Sequence, residues 1–172
     1  MEDRTVLTTD RLVLRKMNDE DIGNLMEIFS DPVAMEYYPS TKNEDQTRKW
    51  IGWTLNNYAD YGVGLWIVED KVTGDFLGQC GIVPQELEGV MEMEIGYLFA
   101  RRVWGNGYAT EAAIACKQYG FKVLDVERLI SFVDVRNKPS AKVAERIGMT
   151  LEKTIHRWEK VVSVYSVCSV RE

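Results

Sequence analysis

Between Gly64 and Ala100 the chain runs through three extended segments with no helix between them. GLWIVED and FLGQCGIV are apolar runs joined by the polar, glycine-containing turn KVTGD, and MEMEIGYLFA follows as a third strand. Two apolar runs on either side of a short Gly-containing turn mark a hairpin. Parallel strands need a crossover of about a dozen residues or more, so three strands in immediate succession must pair antiparallel. That rules against a doubly wound parallel sheet.

The flanking segments supply the helices. RLVLRKM alternates apolar and charged residues and reads as a half-buried strand. In NDEDIGNLMEIFSDP, Ile22, Leu25, Met26 and Phe29 fall on one helical face, with Asn18 as N-cap and Pro32 just past the end. A second helix starts near NEDQ, where Asn43 caps and Gln46 reaches back, carries Trp50, Trp53, Tyr58 and Tyr61 on or near one side, and ends in YGVG. Ala109, Ala112, Ala113, Cys116, Tyr119 and Val123 form the apolar face of a third. ERLISFVDV is a strand, and NKPSAKVAERIGM a short helix capped by Asn137 with Val143, Ala144 and Ile147 inward. Two strands around residues 158–161 finish the chain. At 172 residues this is one mixed α/β domain, residues 1–172.

Composition narrows the function classes. The net charge is −6 and there is no basic block, so nucleic acid is excluded as a partner. A first apolar run broken by charges and the lack of an 18-residue apolar stretch point to a cytoplasmic protein with no membrane partner. Cys80, Cys116 and Cys168 sit in apolar contexts without C-x-x-C spacing and are expected in the core. The single histidine, His156, has no companion ligands, so no metal site is expected.

The chemistry concentrates in RRVWGNGYATEA, residues 101–112, directly after the third strand. A helix N-terminus offers unpaired N–H groups and partial positive charge, which suits an anion. Gly105 and Gly107 allow the positive φ of a nest of converging N–H groups, and Arg101 and Arg102 bring guanidinium charge. A pyrophosphate is the natural occupant. A P-loop is absent because no G-K-[S/T] follows, and a dinucleotide fingerprint fails at Thr110, where its third glycine belongs.

Arg102-x-x-Gly105-x-Gly107-Tyr108-Ala109 resembles the Q/R-x-x-G-x-G/A coenzyme-A loop of the GCN5-related N-acetyltransferase (GNAT) family. TDRLVLRKMNDEDIGNLMEIFSDP, EIGYLFARRVWGNGYATEA, NKPSAKVAERIGM and VVSVYSV follow in the family's order, most like the ribosomal-protein N-terminal alanine/serine acetyltransferase branch. The resemblance implies an α+β fold with a mixed, mostly antiparallel sheet of about seven strands and about four helices. It also implies acetyl-CoA as donor, without a metal, and a primary amine as acceptor. It places the pantetheine arm against the backbone of Tyr97, Leu98 and Phe99, with Gly96 suited to close approach. The pyrophosphate falls to Arg101, Arg102, Trp104, Gly105, Asn106, Gly107, Tyr108 and Ala109, and Asn137 and Ser140 match an Asn and a Ser near the thiol.

Amine acetylation needs a neutral nucleophile. Period-two alternation puts Glu92 and Glu94 on the face of Gly96, and Glu94, nearer the coenzyme, is the candidate base, directly or through a water. Some relatives use a glutamate on the next strand, but Phe132 stands there, leaving Asp134 as a weak substitute. Ser140, Tyr165 and Tyr108 are candidate partners of the departing thiolate, and His156 falls on the acceptor side. Residues 35–61, rich in Tyr and Trp, correspond to the family's acceptor cleft. A non-catalytic acyl-CoA sensor remains the alternative reading, and a homodimer is left open.

Overall fold

The computed structural model describes residues 3–170. Its strands are β1 (Thr5–Thr8), β2 (Leu12–Lys16), β3 (Leu65–Asp70), β4 (Phe76–Leu87), β5 (Val90–Phe99), β6 (Arg128–Asp134), β7 (Thr150–Arg157) and β8 (Lys160–Cys168). The helices are α1 (Ile22–Phe29), α2 (Glu44–Tyr61), α3 (Tyr108–Lys122) and α4 (Lys138–Arg146). The expected α+β architecture is present with eight strands among the described residues, because β1 adds an edge strand in what reads as a lead-in.

Each helix begins where its cap allows. Asn18 and Asp21 form a reciprocal capping box on a 3-10 turn that runs into α1, and Asn43 and Gln46 do the same for α2. Gly62, at φ 72°, closes α2 in the left-handed conformation that glycine adopts without a steric penalty. The Asn137 side chain accepts from the Ser140 N–H at 3.2 Å and caps α4.

One sheet runs in the order β1-β2-β3-β4-β5-β6-β8-β7. Every neighbouring pair is antiparallel except β5 and β6, which are parallel. Adjacent residues of β4 show how the helices divide over it. Gln79 accepts from the Trp50 indole of α2 at 3.1 Å, whereas the Cys80 sulfur lies 3.6 Å from that of Cys116 on α3. Side chains alternate across a strand, so α2 and α3 cover opposite faces. The core fills both layers, with Leu12, Leu14, Ile51, Trp66, Ile82, Ile95 and Leu129 essentially out of water. β3 and β4 approach closely: a Cβ on Gly81 would stand 2.1 Å from the Gly64 carbonyl oxygen. Cys80 and Cys116 are core thiols as expected, but Cys168 is exposed, because β8 ends at the rim where no helix covers it.

Candidate active site

The site forms where the sheet comes apart. β5 stays in register with β4 through Phe99, yet it meets β6 at a single pairing, Glu94 with Ile130. β6 turns to β8, with which it pairs from Arg128 to Asp134. Ser131 Oγ donates to the Ile95 carbonyl at 2.7 Å across the start of the gap, so Ile95 presents its backbone to β6. Backbone polar groups two residues apart share an edge, so Tyr97 and Phe99 face the gap as well, and Leu98 faces β4. The Phe99 carbonyl is taken by the Trp104 indole at 2.9 Å. Of the three residues expected to meet a pantetheine arm, Tyr97 is therefore the one that presents both N–H and C=O to the opening.

Glu94 occupies the fork. Its carboxylate accepts from the Phe132 N–H at 2.8 Å and from the Gln85 side-chain amide at 3.1 Å. The side chain thus takes a β6 donor that a continuing β5 would have taken. Glu94 is buried, at 8% exposure, and burial raises its pKa to about 7 against the lowering effects of Phe132, Gln85 and Arg157. Tyr38, from the turn after α1, leaves 41% of its surface in water, and burial of its hydroxyl, with a smaller contribution from Glu94, pushes the phenol up to about 12. Glu92 is a different kind of group, an ion-pair partner of Arg128 at 3.1 Å.

The other face carries a hydroxyl pair. Tyr97 Oη donates to the Ser140 carbonyl at 2.7 Å, and Ser140 Oγ donates to Tyr97 Oη at 3.3 Å. The pair bridges β5 to the first turn of α4. Tyr165 lies on this α4 side of β8, buried, with its pKa raised by burial and secondarily by Glu145. Asp134 is held well below the usual carboxylate range by Arg136, with Lys160 adding to it, and so is a committed ion-pair member. His156 is exposed on β7.

At the end of β5 a 3-10 turn, Arg101–Val103, leads into the glycine loop. Gly105 and Gly107 have φ of 81° and 78°, and Gly107 is the N-cap of α3 with no side-chain cap. The first N–H groups of α3 are therefore left to whatever docks there. Asn106 braces the loop by donating to the Val103 carbonyl at 2.9 Å. Arg101 and Arg102, expected beside a pyrophosphate, are engaged by α1 and the turn after it: Arg101 with Asp31 at 3.0 Å, Arg102 with Glu27 at 2.7 Å and with the Phe76 carbonyl. They tie the loop to α1.

A cation that local sequence reading misses stands closer to the nest. The Arg11 guanidinium lies 4.5 Å from the centre of the Tyr108 ring, its Nε bonds Glu111 at 2.8 Å, and its Nη2 lies 3.6 Å from where a Gly107 side chain would begin. The only signal is a Thr-Asp-Arg turn a hundred residues before its acidic partner. Among the described residues no cluster of His, Cys, Asp and Glu could hold a metal ion, and no helix is long and apolar enough to cross a membrane.

A sheet forked beside a glycine-capped helix defines an acyltransferase scaffold, and comparison with known proteins agrees. Residues 11–150 match the Acetyltransferase (GNAT) domain family, and the chain belongs to the GNAT acetyltransferases, which transfer acyl groups from acyl-CoA to amines. The protein YkkB of Bacillus subtilis is 52% identical over 166 residues, spanning 96% of each chain. The crystal structure of an acetyltransferase from Agrobacterium tumefaciens superposes with a TM-score of 0.85 at 30% identity, covering 98% of this chain and 96% of the other. RimL, a ribosomal L7/L12 α-N-protein acetyltransferase solved with coenzyme A, shares the fold at a TM-score of 0.78 and 17% identity, covering 95% and 97%.

Proposed function

We propose that the chain is a single-domain, cytoplasmic N-acetyltransferase that moves the acetyl group of acetyl-CoA to a primary α-amine by direct attack in a ternary complex. The observation that carries this reading is the placement of Glu94 at the fork between β5 and β6, on the strand whose far end leads into the glycine loop. The N–H groups from Gly105 to Ala109 take the pyrophosphate, with Trp104 and Asn106 fixing the loop and Arg11 adding charge. Tyr97 offers backbone groups to the pantetheine arm and an N–H to the thioester carbonyl, where negative charge develops.

Glu94 takes the proton from the incoming ammonium. A base near 7 is almost matched to an α-amine, roughly 7.7 to 8.0, and mismatched by about three units to a lysine-type amine near 10.4. This favours a peptide N-terminus or an amino-acid-like metabolite over a polyamine, and the N-terminal activity of RimL points the same way. The neutral amine attacks, the C–N bond forms as the C–S bond breaks, and the Ser140–Tyr97 pair supplies a proton to the departing thiolate and is restored by the second proton that the nitrogen sheds as it becomes an amide. Tyr165 is left to packing.

The test is thiol release from acetyl-CoA against Ser- and Ala-starting peptides, free amino acids, polyamines and aminoglycosides, for the native protein and Glu94→Gln. Release with α-amines that Glu94→Gln lowers most for the higher-pKa acceptors supports the assignment. An equal loss for all acceptors removes Glu94 from the base role, and tight acetyl-CoA binding without release identifies an acyl-CoA sensor.

A further inference from the structure

Trp158 and Glu159 make the two-residue turn between β7 and β8 with φ of 54° and 61°. Asn-Gly is the usual sequence for a turn that needs two left-handed residues, and a bulky tryptophan is disfavoured there. The tryptophan is held by what it covers. The Arg157 guanidinium lies 4.6 Å from the Phe132 ring centre and 4.8 Å from that of Trp158, and the two rings meet edge to face at 5.6 Å. Arg157 Nη1 donates to the Glu86 carbonyl at 2.8 Å and Nη2 to Gln85 Oε1 at 3.4 Å, while its Nε is buried without a partner. A guanidinium is packed under two aromatic rings at the cost of a strained turn and an unpaired N–H.

Arg157 leads to the reaction centre through Gln85, whose amide nitrogen donates to Glu94 at 3.1 Å. A carboxamide can present either its oxygen or its nitrogen. Guanidinium has donors only, so next to Arg157 the Gln85 oxygen must turn toward the cation and its N–H₂ toward the carboxylate. We infer that Arg157, packed against Phe132 and Trp158, is a positioning residue for Glu94: it fixes the orientation of the Gln85 amide, which then favours the ionised carboxylate.

Without Arg157 the amide is free to turn its oxygen to Glu94 and accept a proton from the neutral acid. The Phe132 N–H from β6 bonds Glu94 directly, and two phenols feel its charge, Tyr38 from the turn after α1 and Tyr97 on the opposite face of β5. Both phenols have pKa values raised above the ordinary tyrosine value, Tyr97 by burial first and Tyr38 likewise, so neither carries charge near neutral pH. Asp134, Arg136 and Lys160 at the end of β6 satisfy one another. Arg157 is thus the charged side chain whose removal re-poises the base.

The inference gives a catalytic meaning to Arg157 only if Glu94 is the base, but its test does not depend on that. The Glu94 carboxyl carbon is titrated by ¹³C NMR in the native protein, Arg157→Met, Arg157→Lys, Gln85→Met and the Arg157→Met/Gln85→Met double variant. Arg157→Met and Gln85→Met each raise the midpoint by about one pH unit, Arg157→Lys returns it toward the native position, and the double variant moves by clearly less than the sum of the two single changes. An unmoved midpoint in Arg157→Met overturns the inference. So does an Arg157→Met shift of equal size with and without Gln85, which would mean direct action through space. If Arg157→Met fails to fold, an unmoved midpoint in Gln85→Met does the same. If instead Glu94→Gln leaves the pH profile of acetyl transfer intact, the base assignment falls while the titration still decides the role of Arg157.

Discussion

Replacing Glu94 by Gln should stabilise the protein at alkaline pH and leave its stability unchanged in acid. The sign follows from the raised folded-state value. An unfolded glutamate releases its proton near 4.5, whereas buried Glu94 holds its proton up to about 7. Between those limits the folded state binds more protons than the unfolded state, so unfolding free energy falls as pH rises, then levels off above about 7. At about 1.4 kcal/mol per pH unit, that window removes about 3 kcal/mol, a sizeable part of the roughly 5–15 kcal/mol typical of a domain. The substituted carboxamide does not ionise, and its carbonyl can still accept from the Phe132 N–H. Urea unfolding of both proteins from about pH 4.5 to about pH 8.5 reads the difference, in which every other titrating group cancels. The expected difference grows from near zero to about 3 kcal/mol in favour of Glu94→Gln. A difference that stays flat with pH would refute the buried, proton-holding Glu94.

Four further outcomes follow from the geometry. Gly107 has φ 78° and open space but for Arg11, so Gly107→Ala should cost about 1–2 kcal/mol of stability from the backbone alone. Gly107→Glu should remain folded by circular dichroism yet lose acetyl-CoA binding by calorimetry, and undiminished binding would dismiss the loop as the pyrophosphate site. Tyr97→Phe should lower kcat about 100-fold if its hydroxyl serves the thiolate, with acetyl-CoA affinity kept within about twofold because the backbone contact survives; steady-state and binding measurements separate the two. Gly81→Ala should destabilise the fold by roughly 3 kcal/mol, since its Cβ would collide with the Gly64 carbonyl at 2.1 Å, and urea midpoints within error of native would contradict that approach.

What was legible in the sequence was local. Asn18, Asn43 and Asn137 announce their helices because a cap and its N–H lie within three residues of each other, and the successive strands from Gly64 to Ala100 declare antiparallel pairing. Glu94 could be placed on a face by alternation alone. Its depth could not, because the groups that enclose it include Gln85 and Phe132 on two other strands. β1 escaped notice because its four residues are half-exposed and pair only with β2. Arg101 and Arg102 read as phosphate ligands from the loop alone, and nothing in the sequence signals that Asp31 and Glu27 also pair with them. Arg157 reads as a polar turn residue, and the clue was the Trp-Glu pair in a turn that asks for Asn-Gly.

In the proposed mechanism the fork also accounts for the place of the chemistry in the sheet. Glu94 lies on the α2 side, whereas the Tyr97 and Ser140 hydroxyls lie on the α4 side. A continuous sheet would separate a proton acceptor for the amine from a proton donor for the thiolate by a layer of paired backbone. Parting β5 from β6 after one pairing opens that layer, and Ser131 bonded to the Ile95 carbonyl stops the opening from running further. The ladder bonds forgone there are the backbone groups of Tyr97 and the N–H of Phe132, and the proposed mechanism gives each an occupation: one meets the coenzyme, the other holds the base. A substitution that re-zips the strands should therefore abolish transfer while raising stability, the trade expected where an active site is made from missing secondary structure.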